Sequence, residues 1–195
     1  MNRLFAIVLL LSAAAFAQMA PSHEATNAQQ GNPHGFKRSS RVQFAAECGI
    51  NNPDPATALV LSRSEKGTWS RVSRTMPPGQ NDNAKVRAWR ETNTMIEWHE
   101  SPNGTSMHTA QFCYRPDGTL WHVIDRFVEP VSCGCMRMME ATFNPDGSVR
   151  ERYEGYYGMQ QQEPIAEPPL AKSFPAAYEI KKLDQLPFAE FLKSN

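Results

Sequence analysis

Residues 106–128 read SMHTAQFCY-RPDG-TLWHVIDRFV, and residues 134–156 read GCMRMMEATF-NPDG-SVRERYEGY. In each, two runs rich in β-branched and aromatic residues flank a four-residue turn. The turn proline sets φ near −65°, and the glycine after aspartate accepts a positive φ. Such segments dictate antiparallel hairpins, and two in close succession set the fold class. The PDG turn occurs twice, but the flanking residues do not match, so it is one turn used twice and not a repeat.

The same pattern continues outward. Strand-like runs occur at Thr57–Arg63, Thr68–Thr75, Lys85–Glu91 and Thr94–Glu100, before Ser106–Tyr114, Thr119–Val128, Gly134–Phe143 and Ser148–Tyr156. SEKG at 64–67 and SPNG at 101–104 supply further turns. The expectation is an all-β domain: an antiparallel meander of about eight strands forming a curved sheet or a partly closed barrel. Gly67-Thr68-Trp69 resembles the G-x-W that opens the first strand of lipocalin- and avidin-type barrels. The resemblance covers three residues, and a strand precedes it, which departs from that pattern, so no family is assigned.

The chain opens with Arg3, an apolar run from Leu4 to Leu11, and Ala15-Phe16-Ala17 before Gln18. This is the order of a secretory signal peptide cleaved after Ala17. The run is shorter than the roughly 20 apolar residues a spanning helix needs. We expect an exported protein, secreted or periplasmic, with no transmembrane segment after cleavage. Residues 18–43 are rich in Ser, Asn, Gln, Gly and Pro and read as a disordered arm. The β domain then spans 44–158. A Pro- and Gln-rich flexible segment follows at 159–174. Residues 175–195 read as a strand (AAYEIKKL) and a short helix, capped by Asp184, that packs Leu186, Phe188, Phe191 and Leu192 on the sheet.

The chain carries 20 basic and 20 acidic residues. This balance argues against nucleic acid as a partner. Between 63 and 90, however, Arg63, Lys66, Arg71, Arg74, Lys85, Arg87 and Arg90 outnumber Glu65 and Asp82. That is a solvated face or a patch for an anionic envelope component. Asn103-Gly104-Thr105 is a glycosylation sequon, meaningful only on a eukaryotic secretory route.

Treating each turn as four residues assigns a register. Glu97 then faces His108, and His108 faces Asp125. A histidine between two carboxylates is either an acid–base group or an ordinary buried ion pair. Nothing ties a nucleophile to the row, so a hydrolase built on Glu97, His108 and Asp125 ranks last. The same register gathers Met95, Ala110, Phe112, Trp121, Val123, Phe127, Met138, Val149 and Tyr153 on one face.

Four cysteines, Cys48, Cys113, Cys133 and Cys135, allow three full pairings. In the meander, Cys113 lies some 20 Å from Cys135 at ~3.3 Å per residue. A bridge needs Cα atoms within ~7 Å. That leaves Cys48–Cys113 and Cys133–Cys135, the latter a small ring made feasible by Gly134. Reduced, Cys133 and Cys135 beside Met136, Met138 and Met139 offer soft ligands for Cu(I). The alternatives are that the methionines fill core and the cysteines staple a loop. Motifs for haem attachment, nucleotide phosphates and α/β-hydrolases are absent, and no cofactor is expected.

The leading expectation is a non-catalytic envelope or extracellular binding module. It would hold an apolar or amphipathic ligand against Trp98, Phe112, Trp121, Met138 and Tyr153. A thiol-redox or copper-handling protein centred on Cys133 and Cys135 is the alternative, and a packed interior would favour a structural surface protein.

Overall fold

The computed structural model describes residues 40–72, 84–101, 104–160 and 163–193. The expected signal peptide, residues 18–39 of the expected arm, Arg74 and the last residues of the Thr68–Thr75 run lie outside them.

Among the described residues nine strands form one antiparallel sheet: β1 (Leu59–Arg63), β2 (Trp69–Arg71), β3 (Ala84–Arg90), β4 (Thr94–Glu100), β5 (Met107–Tyr114), β6 (Leu120–Glu129), β7 (Cys135–Phe143), β8 (Val149–Gly158) and β9 (Pro164–Ile165). Their order is β2-β1-β3-β4-β5-β6-β7-β8-β9. From β3 onward it is a simple meander, and β1 pairs with β3 so that β2 becomes an edge. The sheet stays open and does not close into a barrel. Its edges are strands of three and two residues, and Pro164 removes a donor from the second.

Both PDG turns are built alike. Gly118 and Gly147 have φ of 80° and 82°. The carboxylate oxygen of Asp117 accepts from the Thr119 amide and hydroxyl, and that of Asp146 accepts in the same way from Ser148. Each carboxylate is thereby held below its ordinary pKa; at Asp117 the backbone amide is the larger cause and at Asp146 the side-chain hydroxyl.

The strands have the expected places, but the registers differ. Across β4–β5, Glu97 faces Gln111, an index sum of 208 where a four-residue turn gives 205. Across β6–β7, Asp125 faces Met139, a sum of 264 where 261 was expected. The connections are longer than four residues: β4 ends at Glu100 and β5 begins at Met107, and β6 ends at Glu129 before β7 begins at Cys135. An odd shift turns a strand's side chains to the opposite face. Across β5–β6 the sum is 235, with His108 facing Phe127, and a bulge lies at Cys113/Tyr114. That shift from 233 is even and keeps the face.

One face therefore carries Leu61, Val86, Ile96, Trp98, Ala110, Phe112, Val123, Met139, Ala141 and Phe143 in a single core cluster. The C-terminal segment covers this face with Leu186, Phe188 and Leu192. The residues around Tyr178 do not form the expected strand: only Thr119 and Lys182 make a bridge. A 3-10 turn spans Leu183–Gln185 and helix α2 spans Ala189–Leu192, so Asp184 sits in the earlier turn and does not cap the helix. The segment read as flexible contains β9 and a second 3-10 turn, Pro169–Ser173.

Helix α1 (Arg41–Glu47) packs on the other face, beginning inside the region read as an arm. Ser40 caps it by accepting from the Gln43 amide. It ends in a Schellman arrangement: Ile50 N–H donates to Ala45 and Gly49 N–H to Ala46, with Gly49 at φ 73°. Phe44, Ala45, Cys48 and Ile50 bury against Trp89, Met95, Cys113 and Ile124.

Candidate functional site

Three places bring reactive or adhesive side chains together. The first is sealed beneath the C-terminal segment. His108 Nε2 donates to Asp125 Oδ2 at 2.7 Å, and Arg137 donates to Asp125 Oδ1 at 3.1 Å. All three residues are buried. The Tyr178 amide also donates to Asp125, at 3.0 Å, and its hydroxyl donates to Glu100 at 2.7 Å. Its ring stacks on Trp98 (centroids 4.5 Å apart, 10° between planes) and on His108 (4.1 Å, 13°). Arg63 pairs with Glu100 from the far side. Burial, then the hydrogen bond to Glu100, pushes the Tyr178 phenol well above its ordinary pKa.

This socket corrects the expected His row. Glu97 lies on the opposite face, where it binds Arg41 at 2.6 Å and Gln111 at 3.1 Å. The His108–Asp125 pair is formed, but Tyr178 covers it and Asp125 is saturated by three donors. Sequence reasoning missed Tyr178, Arg137 and Glu100. The register reaches Arg137 and Glu100; nothing in the sequence marks Tyr178.

The second place lies under α1. Cys48 and Cys113 are joined by a disulfide, each 1 % exposed. Nearby, His122 contacts Glu140 at 2.8 Å and Glu47 at 3.7 Å and packs on Phe44. Trp121, next to the bulge, packs at the margin of this cluster and not opposite Phe112.

The third place is the remainder of the same face, beyond α1. Met107 faces Val128, Val128 faces Met136, and Met136 faces Tyr157. Four apolar residues thus form one continuous row across β5, β6, β7 and β8. Met138 and Tyr157 pack with Met136 in a cluster separate from the one under α1. Met107 is 48 % exposed and Tyr153, on the same face, 40 %. The expected ligand set is accordingly divided. Trp98 and Phe112 are buried under the C-terminal segment, while on the opposite face Met138 is buried and Tyr153 exposed.

Next to the middle of this row, one residue beyond Val128 and Met136, the β6–β7 turn carries the second disulfide, Cys133–Cys135. Cys133 is exposed and Cys135 fully buried. Glu129 holds the turn: its carboxylate accepts from Ser106 Oγ at 2.6 Å and from the Val131 and Ser132 amides at 3.2 and 3.3 Å. These bonds, the Ser106 hydroxyl foremost, keep its pKa below the ordinary value. Met136 points to the face opposite Cys135, as adjacent strand residues do, so Cys133, Cys135 and Met136 do not converge as copper ligands. Among the described residues no group of three His, Cys, Asp or Glu side chains is placed to hold a metal.

The basic stretch disperses. Arg63 pairs with Glu100, Arg87 with Glu97, and Arg71 and Arg90 donate to the carbonyls of Phe191 and Leu192. A groove of about 490 Å³ lies between the Pro116–Thr119 turn and the C-terminal segment, and its wall mixes Arg90, Asp117, Lys182, Asp184 and Lys193 with a few apolar groups. No helix among the described residues is long and apolar enough to cross a membrane. No protein-family model matches the chain, and neither does any curated protein or solved structure.

Proposed function

We propose that the protein works outside the cytoplasm as a non-catalytic binding module, and that it contacts an apolar or amphipathic partner through the outer face of β5–β8. The row carries this reading through exposed Met107 and partly exposed Val128 and Met136, with Tyr157 buried at its end. Methionine is flexible and polarisable, which suits a surface that adapts to a partner. The inner face offers no comparable site, because the C-terminal segment fills it. The mixed-charge groove suits a polar ligand and not an apolar one. Two disulfides fit an oxidising compartment, and the N-terminal secretory pattern supplies the route to one.

The test is binding of a fluorescent acyl-chain probe to the purified protein and to a Met107→Lys/Met136→Lys variant. The reading expects saturable binding that the variant weakens at least tenfold. An equal signal from both proteins, or none from either, removes it.

A further inference from the structure

We infer that the Cys133–Cys135 bridge is a thiol–disulfide exchange site and not a structural staple, and that its co-reactant is a thiol. The inference does not depend on the docking surface proposed above. It starts from the contrast between the two disulfides. Cys48–Cys113 joins residues 65 apart and is buried between a helix and a strand. Cys133–Cys135 joins residues only two apart, within one turn. A ring that small removes little freedom from the unfolded chain.

The turn is also held without the bridge. Glu129 accepts three hydrogen bonds from Ser106, Val131 and Ser132. The Gly134 carbonyl accepts from the Met159 amide at 2.9 Å. Cys135 is already paired between Glu129 and Gly158 in the sheet. Opening the bridge leaves these contacts in place, so the two thiols stay adjacent and the bridge can reform.

Access favours one sulfur. The exposed residue is Cys133 and the buried one Cys135, so an incoming thiolate reaches Cys133 Sγ from solvent. That attack forms a mixed disulfide and breaks the Cys133–Cys135 bond. The electron pair passes to Cys135 Sγ, which takes a proton from water. A second thiolate then attacks the co-reactant sulfur of the mixed disulfide and releases Cys133 as a thiolate. Two thiols are oxidised to one disulfide, and the bridge is reduced to a dithiol by the same two electrons. Exposed disulfides are among the labile ones that take part in such exchange.

The test uses the mature chain equilibrated in glutathione buffers of graded potential, quenched by alkylation and mapped by peptide mass. The expected result is two new thiols at Cys133 and Cys135 while Cys48–Cys113 stays bridged and tryptophan fluorescence is unchanged. A second arm measures single-turnover oxidation of a model dithiol peptide by a stoichiometric amount of the oxidised protein. The rate should exceed that of a Cys133→Ser/Cys135→Ser variant at least tenfold. A Cys135→Ser variant should retain Cys133 as a mixed disulfide with glutathione. Opening of the bridge only together with Cys48–Cys113, or peptide oxidation equal in wild type and double variant, would make it a staple and overturn the inference.

Discussion

Replacing Tyr178 by alanine removes the side chain that fastens the C-terminal segment to the sheet. The half-buried ring withholds on the order of 100 Å² of apolar surface from water, about 2.5 kcal/mol at 25 cal/mol per Å². Its two ring contacts contribute about 1 kcal/mol beyond that area. The hydroxyl, donating to the Glu100 carboxylate, contributes about 1.5 kcal/mol. The alanine variant should therefore lose about 5 kcal/mol, and Tyr178→Phe, which keeps the ring, about 1.5 kcal/mol. With a urea slope of roughly 2 kcal/mol per M, the midpoints fall by about 2.5 M and about 0.75 M. Fluorescence of Trp98, which loses its stacking partner, reports the transition. Trypsin cleavage at Lys181 and Lys182 in native buffer reports release of the segment. A cost under about 1 kcal/mol for Tyr178→Ala, or cleavage at those lysines no faster than in wild type, would mean that Tyr178 does not fasten the segment.

Further outcomes follow from the other buried groups. Asp125→Asn removes the buried countercharge of Arg137, leaving it Glu154 at 4.0 Å and the Pro175 carbonyl, and should cost about 3 kcal/mol by chemical denaturation; a loss below about 1 kcal/mol would show that Glu154 and Pro175 suffice. Removing Cys48–Cys113 by paired serine substitutions should cost about 4 kcal/mol from its long loop, and removing Cys133–Cys135 only about 1.5 kcal/mol; equal losses in non-reducing urea titrations would contradict the loop argument. Glu129 has a folded-state pKa depressed below its ordinary 4.5, so its stabilisation of the turn is present above that value and lost as pH falls through the lower folded value. Hydrogen exchange at the Val131 and Ser132 amides should quicken across that acid range in wild type, whereas Glu129→Gln should show no such step.

The strands and both PDG turns were legible because their signals are local. Pro116, Asp117 and Gly118 satisfy the turn among themselves, whatever surrounds them. The disulfide pairing was legible for a similar reason: the distance along a strand between Cys113 and Cys135 survives errors of register. Facing was not legible. It depends on how many residues each connection takes, and the connections at 101–106 and 130–134 exceed the four assumed. A shift of three placed Glu97 and Met138 on the wrong side while leaving their strands correct. Helix α1 carried a readable sign in Ser40-Arg41-Val42-Gln43, the spacing of a capping box, but the polar composition around it outweighed that sign. The alternation through Ala176–Ile180 reads as a strand. Its tyrosine amide is instead spent on the Asp125 side chain, a partner no periodicity reveals.

The segment that covers the inner face comes later in the chain than every strand it covers. Synthesis runs from β1 towards β9, so the apolar side chains of Ile96, Phe112 and Val123 emerge before Tyr178, Leu186 and Phe188 exist to shelter them. During that interval the nascent sheet displays an oily surface with a vacant aromatic socket at its centre. Final closure is then a late docking event, whose speed depends on a short local stretch finding a ready-made seat. Factors that guard unfinished chains would meet this protein with the apolar side of its strands still bare.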